Sequence, residues 1–278
     1  MMISVKEIMA ARALSKSGLP ELDYSLNPYL GCLHACRYCF AVDFTSDREA
    51  RESWGKHVAV RSNIASVLGR EVVRMPRGLV GISTITDAYQ PVEGKYRLTR
   101  QSIKLLLENG FRITVQTKSP LVRRDLDILS GYRGNSDVGI TLTCLSRDKS
   151  DLLEPGAPSP DSRVRALEEL SYEKINSWIF YGPIVRGFND DPETVNGIVE
   201  ISRALNSRII FDRYASYHSA EAMMVASGFD RNSLSHDSRW WSDVSTRILE
   251  EARKRGVMAN SQSEEWKNTT SLYQQKLF

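Results

Sequence analysis

The chain has 278 residues, which at about 150 residues per domain allows two domains or one large barrel or sheet domain. With 41% hydrophobic and 26% charged residues it has the composition of a globular protein that can bury a core. The 37 Lys and Arg exceed the 34 Asp and Glu by only three charges, too slight a bias to define a nucleic-acid-binding surface. No run of about 18 apolar residues is present, which excludes a membrane-spanning helix. Residues 1–11 carry no charged-then-apolar signal region, so a cytoplasmic location is expected.

Three of the four cysteines, Cys32, Cys36 and Cys39, fall together early in the chain, in the segment Asn27 to Ala41. In a reducing compartment such clustering points to metal or redox chemistry rather than crosslinking. Beyond it, amphipathic helix-like segments (64–73, 96–109, 121–130, 163–171, 192–205 and 239–255) alternate with short apolar strand-like runs (79–86, 111–117, 138–144, 175–181 and 208–213). Gly110 is a helix stop, and the proline-rich stretch 154–161 reads as a rigid loop ending in a Ser159 or Asp161 cap. The alternation predicts an α/β fold with a parallel sheet of about six units, fewer than a full eightfold barrel. In such folds chemistry gathers where strands end. The runs do end in polar residues: Ser83, Thr84, Thr86, Asp87, Tyr89 and Gln90; then Gln116 to Ser119; then Thr141, Thr143 and Cys144; then Asp212 to Tyr214.

The spacing Cys32-x3-Cys36-x2-Cys39 puts three thiolates on one tight loop, where only a cation can neutralise them. A four-iron cubane has four ligand positions, so three cysteines leave one iron open to a non-protein ligand. The alternative ligand set is zinc held by the three cysteines and His34, and the alternative function is a non-catalytic zinc- or cluster-stabilised module that binds nucleic acid with salt-dependent affinity.

The triplet, with Tyr38 just before its last cysteine, resembles the motif of the radical S-adenosylmethionine (SAM) enzymes. The likeness continues in Asn27 to Gly31, in Thr86-Asp87 with Gln90 to Glu93, in Gln116 to Ser119, in 153–158 and in 183–190. These blocks are similar to those of the spore photoproduct lyase-like family. The resemblance implies a partial (β/α)6 barrel with an N-terminal cluster loop, a core over about 24–215 and a C-terminal helical extension over about 216–278. It implies a [4Fe-4S] cluster on Cys32, Cys36 and Cys39, whose open iron binds SAM and whose electron cleaves it to a 5′-deoxyadenosyl radical. A ferredoxin- or flavodoxin-type reductant is the expected partner, and a nucleic-acid base one possible substrate.

By the same resemblance Tyr38 lies near the adenine and Lys118 meets the SAM carboxylate, while Ser83 or Thr84 and Thr141 or Thr143 offer hydroxyls to SAM. Glu93 and Arg163 are further candidates for the polar mouth, against the plainer reading of solvated surface charge. Cys144 is a candidate hydrogen donor, against the plainer reading of a small buried hydrophobe. Two features depart from the lyases themselves. Residues 82–86 contain no cysteine where lyases carry their hydrogen donor, and Phe40 stands where a redox-active tyrosine is used. Both count against thymine-dimer repair by that chemistry. Trp240 and Trp241 read as packing or as a base-stacking platform. Gln274 to Phe278 resembles a shortened sliding-clamp-binding tail, or a cap in which Leu277 and Phe278 cover the barrel.

Overall fold

The computed structural model describes residues 3–264, so the tail from Gln274 to Phe278 lies outside the described residues. The strands, in chain order, are β1 (Ser4–Ile8), β2 (Leu14–Lys16), β3 (Tyr24–Leu26), β4 (Tyr29–Leu30), β5 (His57–Arg61) and β6 (Leu79–Ile82). They continue with β7 (Arg112–Thr117), β8 (Ser136–Thr141), β9 (Asn176–Ile184), β10 (Arg208–Arg213) and β11 (Ala259–Ser261). Eight of them form one sheet in the order β11-β10-β9-β8-β7-β6-β3-β2. All its pairings are parallel except β2 with β3. The remaining three form a small sheet, β1-β5-β4.

The six parallel units expected from the sequence are β3 and β6 to β10, with helices packed on the outer face. Pairing in β7 to β10 shows how. Ile113, Val115, Val138, Ile140, Ile179, Tyr181, Ile209 and Phe211 are almost wholly buried in the main core. They meet Ile103, Leu106, Leu107, Leu167, Leu170, Val195, Ile198 and Val199 from the helices Leu98–Glu108, Pro160–Tyr172 and Pro192–Ala204. Because side chains alternate along a strand, Thr114, Gln116, Gly139, Thr141, Phe180 and Asp212 face the other way, into the lumen. The helix starts follow local chemistry. Ser159 accepts from the Ser162 N–H and Asp191 from the Thr194 N–H, each with proline at the first helical position. Gly110, at φ +77°, ends Leu98–Glu108.

Three differences from the sequence reading have physical causes. The segment 121–130 splits into a 3-10 turn, Pro120–Asp125, and a short helix, Leu126–Gly131. The strand over 138–144 ends at Thr141, so Cys144 lies beyond it. The C-terminal helices His218–Ala226, Arg231–Leu234 and Ser238–Lys254 return the chain to the sheet, where β11 pairs with β10 as a seventh parallel strand. Trp240 and Trp241 belong to packing: both lie against the core, Trp241 beside Phe211 at 5.9 Å, and the Trp240 indole donates to Asp190 at 2.7 Å. Among the described residues no helix is long and apolar enough to cross a membrane.

The lumen is plugged at the N-terminal ends of the strands by Trp178, whose ring lies flat on Gly139 so that a Cβ there would sit 2.4 Å from it. Gly139→Ala is therefore expected to lower the unfolding free energy by about 1–3 kcal/mol in a urea titration, the usual cost of overpacking. Gly131→Ala, with nothing within 4 Å of the added methyl group, is the control and should leave stability unchanged or raised.

Candidate active site

The cysteines lie on the loop that leaves β4, and that loop is fastened at several points. Gln90 accepts the Leu33 N–H at 3.0 Å and donates to the Gly31 carbonyl at 3.0 Å and to the Thr86 hydroxyl at 2.8 Å. Thr86 itself donates to the Gly31 carbonyl at 2.6 Å. On the other side the Gly156 N–H reaches the His34 carbonyl at 3.0 Å and the Arg37 N–H the Leu153 carbonyl at 2.9 Å. The exit of β6 and the loop after β8 thus hold the cysteine loop between them.

Two buried carboxylates complete the clamp. Asp87 accepts from the Thr117 hydroxyl at 2.6 Å and from the Tyr89 and Lys118 N–H groups at 2.9 Å each, and its Oδ2 lies 3.2 Å from His34 Nδ1. Burial alone would raise its pKa, but His34, Lys118 and Thr117 together hold it well below the usual carboxylate range. Glu154, fully buried, takes the Tyr38 hydroxyl, the Thr143 hydroxyl at 2.6 Å and Arg163 at 2.5 Å. Here too burial opposes ionisation and is outweighed, chiefly by Arg163 and Lys118. Arg163 is itself buried, with further bonds to the Pro158 carbonyl at 2.8 Å, the Thr141 carbonyl at 3.2 Å and Ser150 at 3.3 Å.

Cys32 and Cys36 are buried and Cys39 is half-buried; all three are free thiols. The His34 N–H faces the Cys32 sulfur and the Ala41 N–H the Cys39 sulfur. Burial raises all three thiol pKa values, that of Cys36 to about 12, while Lys118 works in the opposite direction on Cys36 and Cys39. Thiols so placed become thiolates only with a cation among them. Among the described residues no three His, Cys, Asp or Glu side chains gather as ligands of one metal ion. His34, the fourth ligand of the zinc reading, is turned to Asp87 instead. A cubane binds each thiolate through its own iron and needs no such single meeting point. The backbone N–H groups on sulfur and the cationic Lys118 suit its thiolates, so the donor set fits an iron-sulfur cluster.

Lys118, at the end of β7, places its Nζ 5.5 Å from the Tyr38 ring centroid. Burial would lower its pKa, but Cys36, Glu154 and Asp87 raise it, so it stays a cation beside the thiols. Ser83 adopts a positive φ of 62° at the end of β6, and its buried hydroxyl has no partner. Thr84 accepts from Asn27 at 3.4 Å and Thr141 from Gln116 at 3.1 Å. The structure thus brings Tyr38, Lys118 and Thr143 into direct electrostatic contact with the cysteine loop, with Ser83, Thr84 and Thr141 at neighbouring strand ends.

Two expectations, for Glu93 and Arg163, are corrected. Glu93 is no part of an open mouth: it is fully buried, accepting from Tyr29, from the Thr99 N–H at 2.9 Å and from Arg124 at 2.6 Å, and it caps Leu98–Glu108. Arg163 is not a solvated charge but the buried partner of Glu154. Cys144 is 1% exposed, its thiol 3.6 Å from the Ser146 carbonyl, and burial pushes its pKa to about 12, a placement that suits a small buried apolar residue. Sequence reasoning missed Glu154 as a hub, although it stands at the edge of the proline-rich loop with Arg163 nine positions on. Gln116, one of the polar strand-end residues expected from the sequence, is exposed on the lumen side of β7.

Comparison with known proteins agrees with this geometry. The model of the radical SAM superfamily matches residues 26–196, and the chain belongs to that superfamily of enzymes. An uncharacterized protein of Methanocaldococcus jannaschii is 30% identical over 183 residues, 66% of this chain and 68% of that one. An uncharacterized protein of Mycobacterium bovis is 29% identical over 215 residues, 71% of this chain but only 61% of its own length. Among solved structures, a cysteine-to-serine mutant of spore photoproduct lyase superposes with a TM-score of 0.72 at 14% identity, over 93% of this chain and 81% of the lyase. Streptococcus suis SuiB bound to S-adenosylmethionine gives a TM-score of 0.59 at 12% identity, over 86% of this chain and 49% of that one. These structures share the fold. With the enzyme class shown, the non-catalytic zinc module loses its support.

Two outcomes test the clamp. A Cβ at Gly156 would lie 2.1 Å from the Leu33 carbonyl oxygen, so Gly156→Ala must displace the cysteine loop. It should bind less than half as much iron per chain as the parent after reconstitution, while far-UV circular dichroism is unchanged. The second outcome concerns acid. Asp87 and Glu154 have folded pKa values below their ordinary 3.8 and 4.5, so their stabilisation is complete above those values and lost as pH falls through the lower folded ones. Urea stability should hold from neutrality down to about pH 5 and then decline. Glu154→Gln should lower the plateau and flatten the decline.

Proposed function

We propose that this enzyme cleaves SAM reductively at a [4Fe-4S] cluster held by Cys32, Cys36 and Cys39. Bound there, the cluster would supply one electron to SAM, releasing methionine and a 5′-deoxyadenosyl radical that abstracts hydrogen from an organic substrate. The observation that carries the reading is the set of three free thiols on a clamped loop, two buried and one half-buried, with a permanent cation, Lys118, beside them.

The chain's own residues then have distinct tasks. Lys118 is the point charge for the SAM carboxylate. Tyr38, fixed by its bond to Glu154, offers a ring face beside that charge. Thr143 locks Glu154 in turn and acts through it. The unpartnered Ser83 hydroxyl and the neighbouring Thr84 and Thr141 are hydroxyls that a ligand across the strand ends would reach. The parallel strands end around an open lumen in which Gln116 is exposed, and there an organic substrate would meet the radical. A nucleic-acid base is one class that fits, since the same fold in spore photoproduct lyase has been solved with dinucleoside spore photoproduct. Cys144, buried against Ser146, would need a local opening to act as hydrogen donor. A ferredoxin- or flavodoxin-type protein would supply the electrons.

The test is anaerobic reconstitution with iron and sulfide, reduction with dithionite in the presence of SAM, and chromatography for 5′-deoxyadenosine. Production is expected in the parent protein, and Cys36→Ala should abolish it while retaining the fold. Stoichiometric zinc, no iron uptake and intact SAM would overturn the reading.

A further inference from the structure

Two observations meet at the end of β10. The first is geometric. The ladder between β9 and β10 runs in register to Phe211 opposite Tyr181 and resumes with Arg213 opposite Ile184. Two residues of β9, Gly182 and Pro183, therefore face Asp212 alone. A bulge of this kind re-aims a side chain, and bulges concentrate beside active sites. Asp212 follows the core-facing Phe211 and so points to the lumen, the side occupied by Phe180 and Gln116. The Phe180 ring fills the space over Gly182: a Cβ there would lie 2.8 Å from the ring and 3.1 Å from the Asp212 carbonyl oxygen.

The second observation is electrostatic. Among the described residues Asp212 forms no ion pair, and its one hydrogen bond comes from the neighbouring Arg213 N–H at 2.8 Å. Burial raises its pKa, opposed by the Arg213 N–H bond and by the charge of the Arg213 guanidinium. The lumen's other charges have partners. Asp137 takes the Trp178 indole at 3.3 Å and Arg208 at 3.9 Å, and Lys118 stands among Cys36, Glu154 and Asp87. A half-buried carboxylate with a single backbone donor keeps acceptor positions unfilled, and a ligand that supplies donors fills them.

We propose that Asp212 and Phe180 form a substrate-recognition pair, and that the substrate presents to it a flat edge with two adjacent N–H donors. This chemistry belongs to an amidinium or guanidinium group and equally to the amidine-like edge of a guanine base. The carboxylate takes both N–H groups side by side, as in the bidentate pairs of arginine, and the ring packs on the flat face. The inference deepens the radical reading and names the substrate class of the same lumen.

The test titrates the reconstituted and the cluster-free full chain with benzamidine and with guanosine, followed by ligand-observed NMR. Benzamide, which keeps the ring but lacks the paired donors, is the control. At least one probe should bind at least tenfold more tightly than benzamide, and the isosteric Asp212→Asn should weaken it at least tenfold with an unchanged melting temperature. Phe180→Leu should weaken it less. Benzamidine alone would indicate a cationic substrate, and guanosine alone a base. The proposal is overturned if neither probe binds, or if Asp212→Asn binds both as the parent does. It is also overturned if Asp212→Asn weakens SAM binding as strongly as probe binding, which would assign the carboxylate to SAM. Binding that depends on Asp212 in a protein that takes up no SAM would sink the radical reading and leave this site standing.

Discussion

The arrangement of the whole site depends on one buried ion pair, Glu154 with Arg163. A carboxylate and a guanidinium out of contact with water are each expensive, and their attraction compensates only when the remaining hydrogen-bonding positions are filled. Here they are filled from every side: Tyr38, Thr143 and Ser150 for the acid, and the Pro158 and Thr141 carbonyls for the base. Each partner comes from a different element. Meeting the needs of these two charges therefore sets the cysteine loop, the end of β8, the proline-rich loop and the helix Pro160–Tyr172 relative to one another. Asp87 does the same on the opposite flank, joining His34 to the ends of β6 and β7.

The sheet divides its residues by the simple period of two. One set of alternate positions in β7 to β10 builds the core under the helices, and the other lines the lumen. At the N-terminal ends the lumen set is bulky and self-satisfied, with Trp178 on Gly139 and Asp137 beside Arg208. At the C-terminal ends it contains Gln116, exposed, and Phe180 and Asp212, half-buried. The exposed, polar part of the lumen thus lies at the C-terminal ends of the strands, on the side of the cysteine loop.

What could be read from the sequence follows the range of the forces involved. Cys32, Cys36 and Cys39 are legible because a cluster motif is local, and Gly110 and the Ser159 cap because turns and caps are chosen within four residues. Lys118 is legible as a cation at a strand end. Glu93 was not, because its environment comes from Tyr29 and Arg124, 64 positions before it and 31 after it. A charged side chain in a polar stretch looks solvated until such partners are known. The small sheet β1-β5-β4 and the three-residue β11 escape for a different reason. Strands of two or three residues, or one as exposed as β1, show no alternation from which to infer them, and β5 is buried along His57 to Val60 rather than at alternate positions.

The extent of the superfamily match gives these observations an order. It ends at residue 196, after β9 and before β10 at residues 208–213. Within it lie the thiols, Lys118, Tyr38 and both clamping carboxylates, the parts that a common radical-generating step would require. Beyond it lie Asp212, the β10 face of the bulge and the edge strand β11. The lumen is shared between the two, since Phe180 belongs to the matched part and Asp212 does not. Generation of the radical needs the same geometry whatever the substrate, whereas recognition has to differ from one substrate to another. A wall built partly beyond the segment that the superfamily model matches is where that difference can arise without disturbing the clamp.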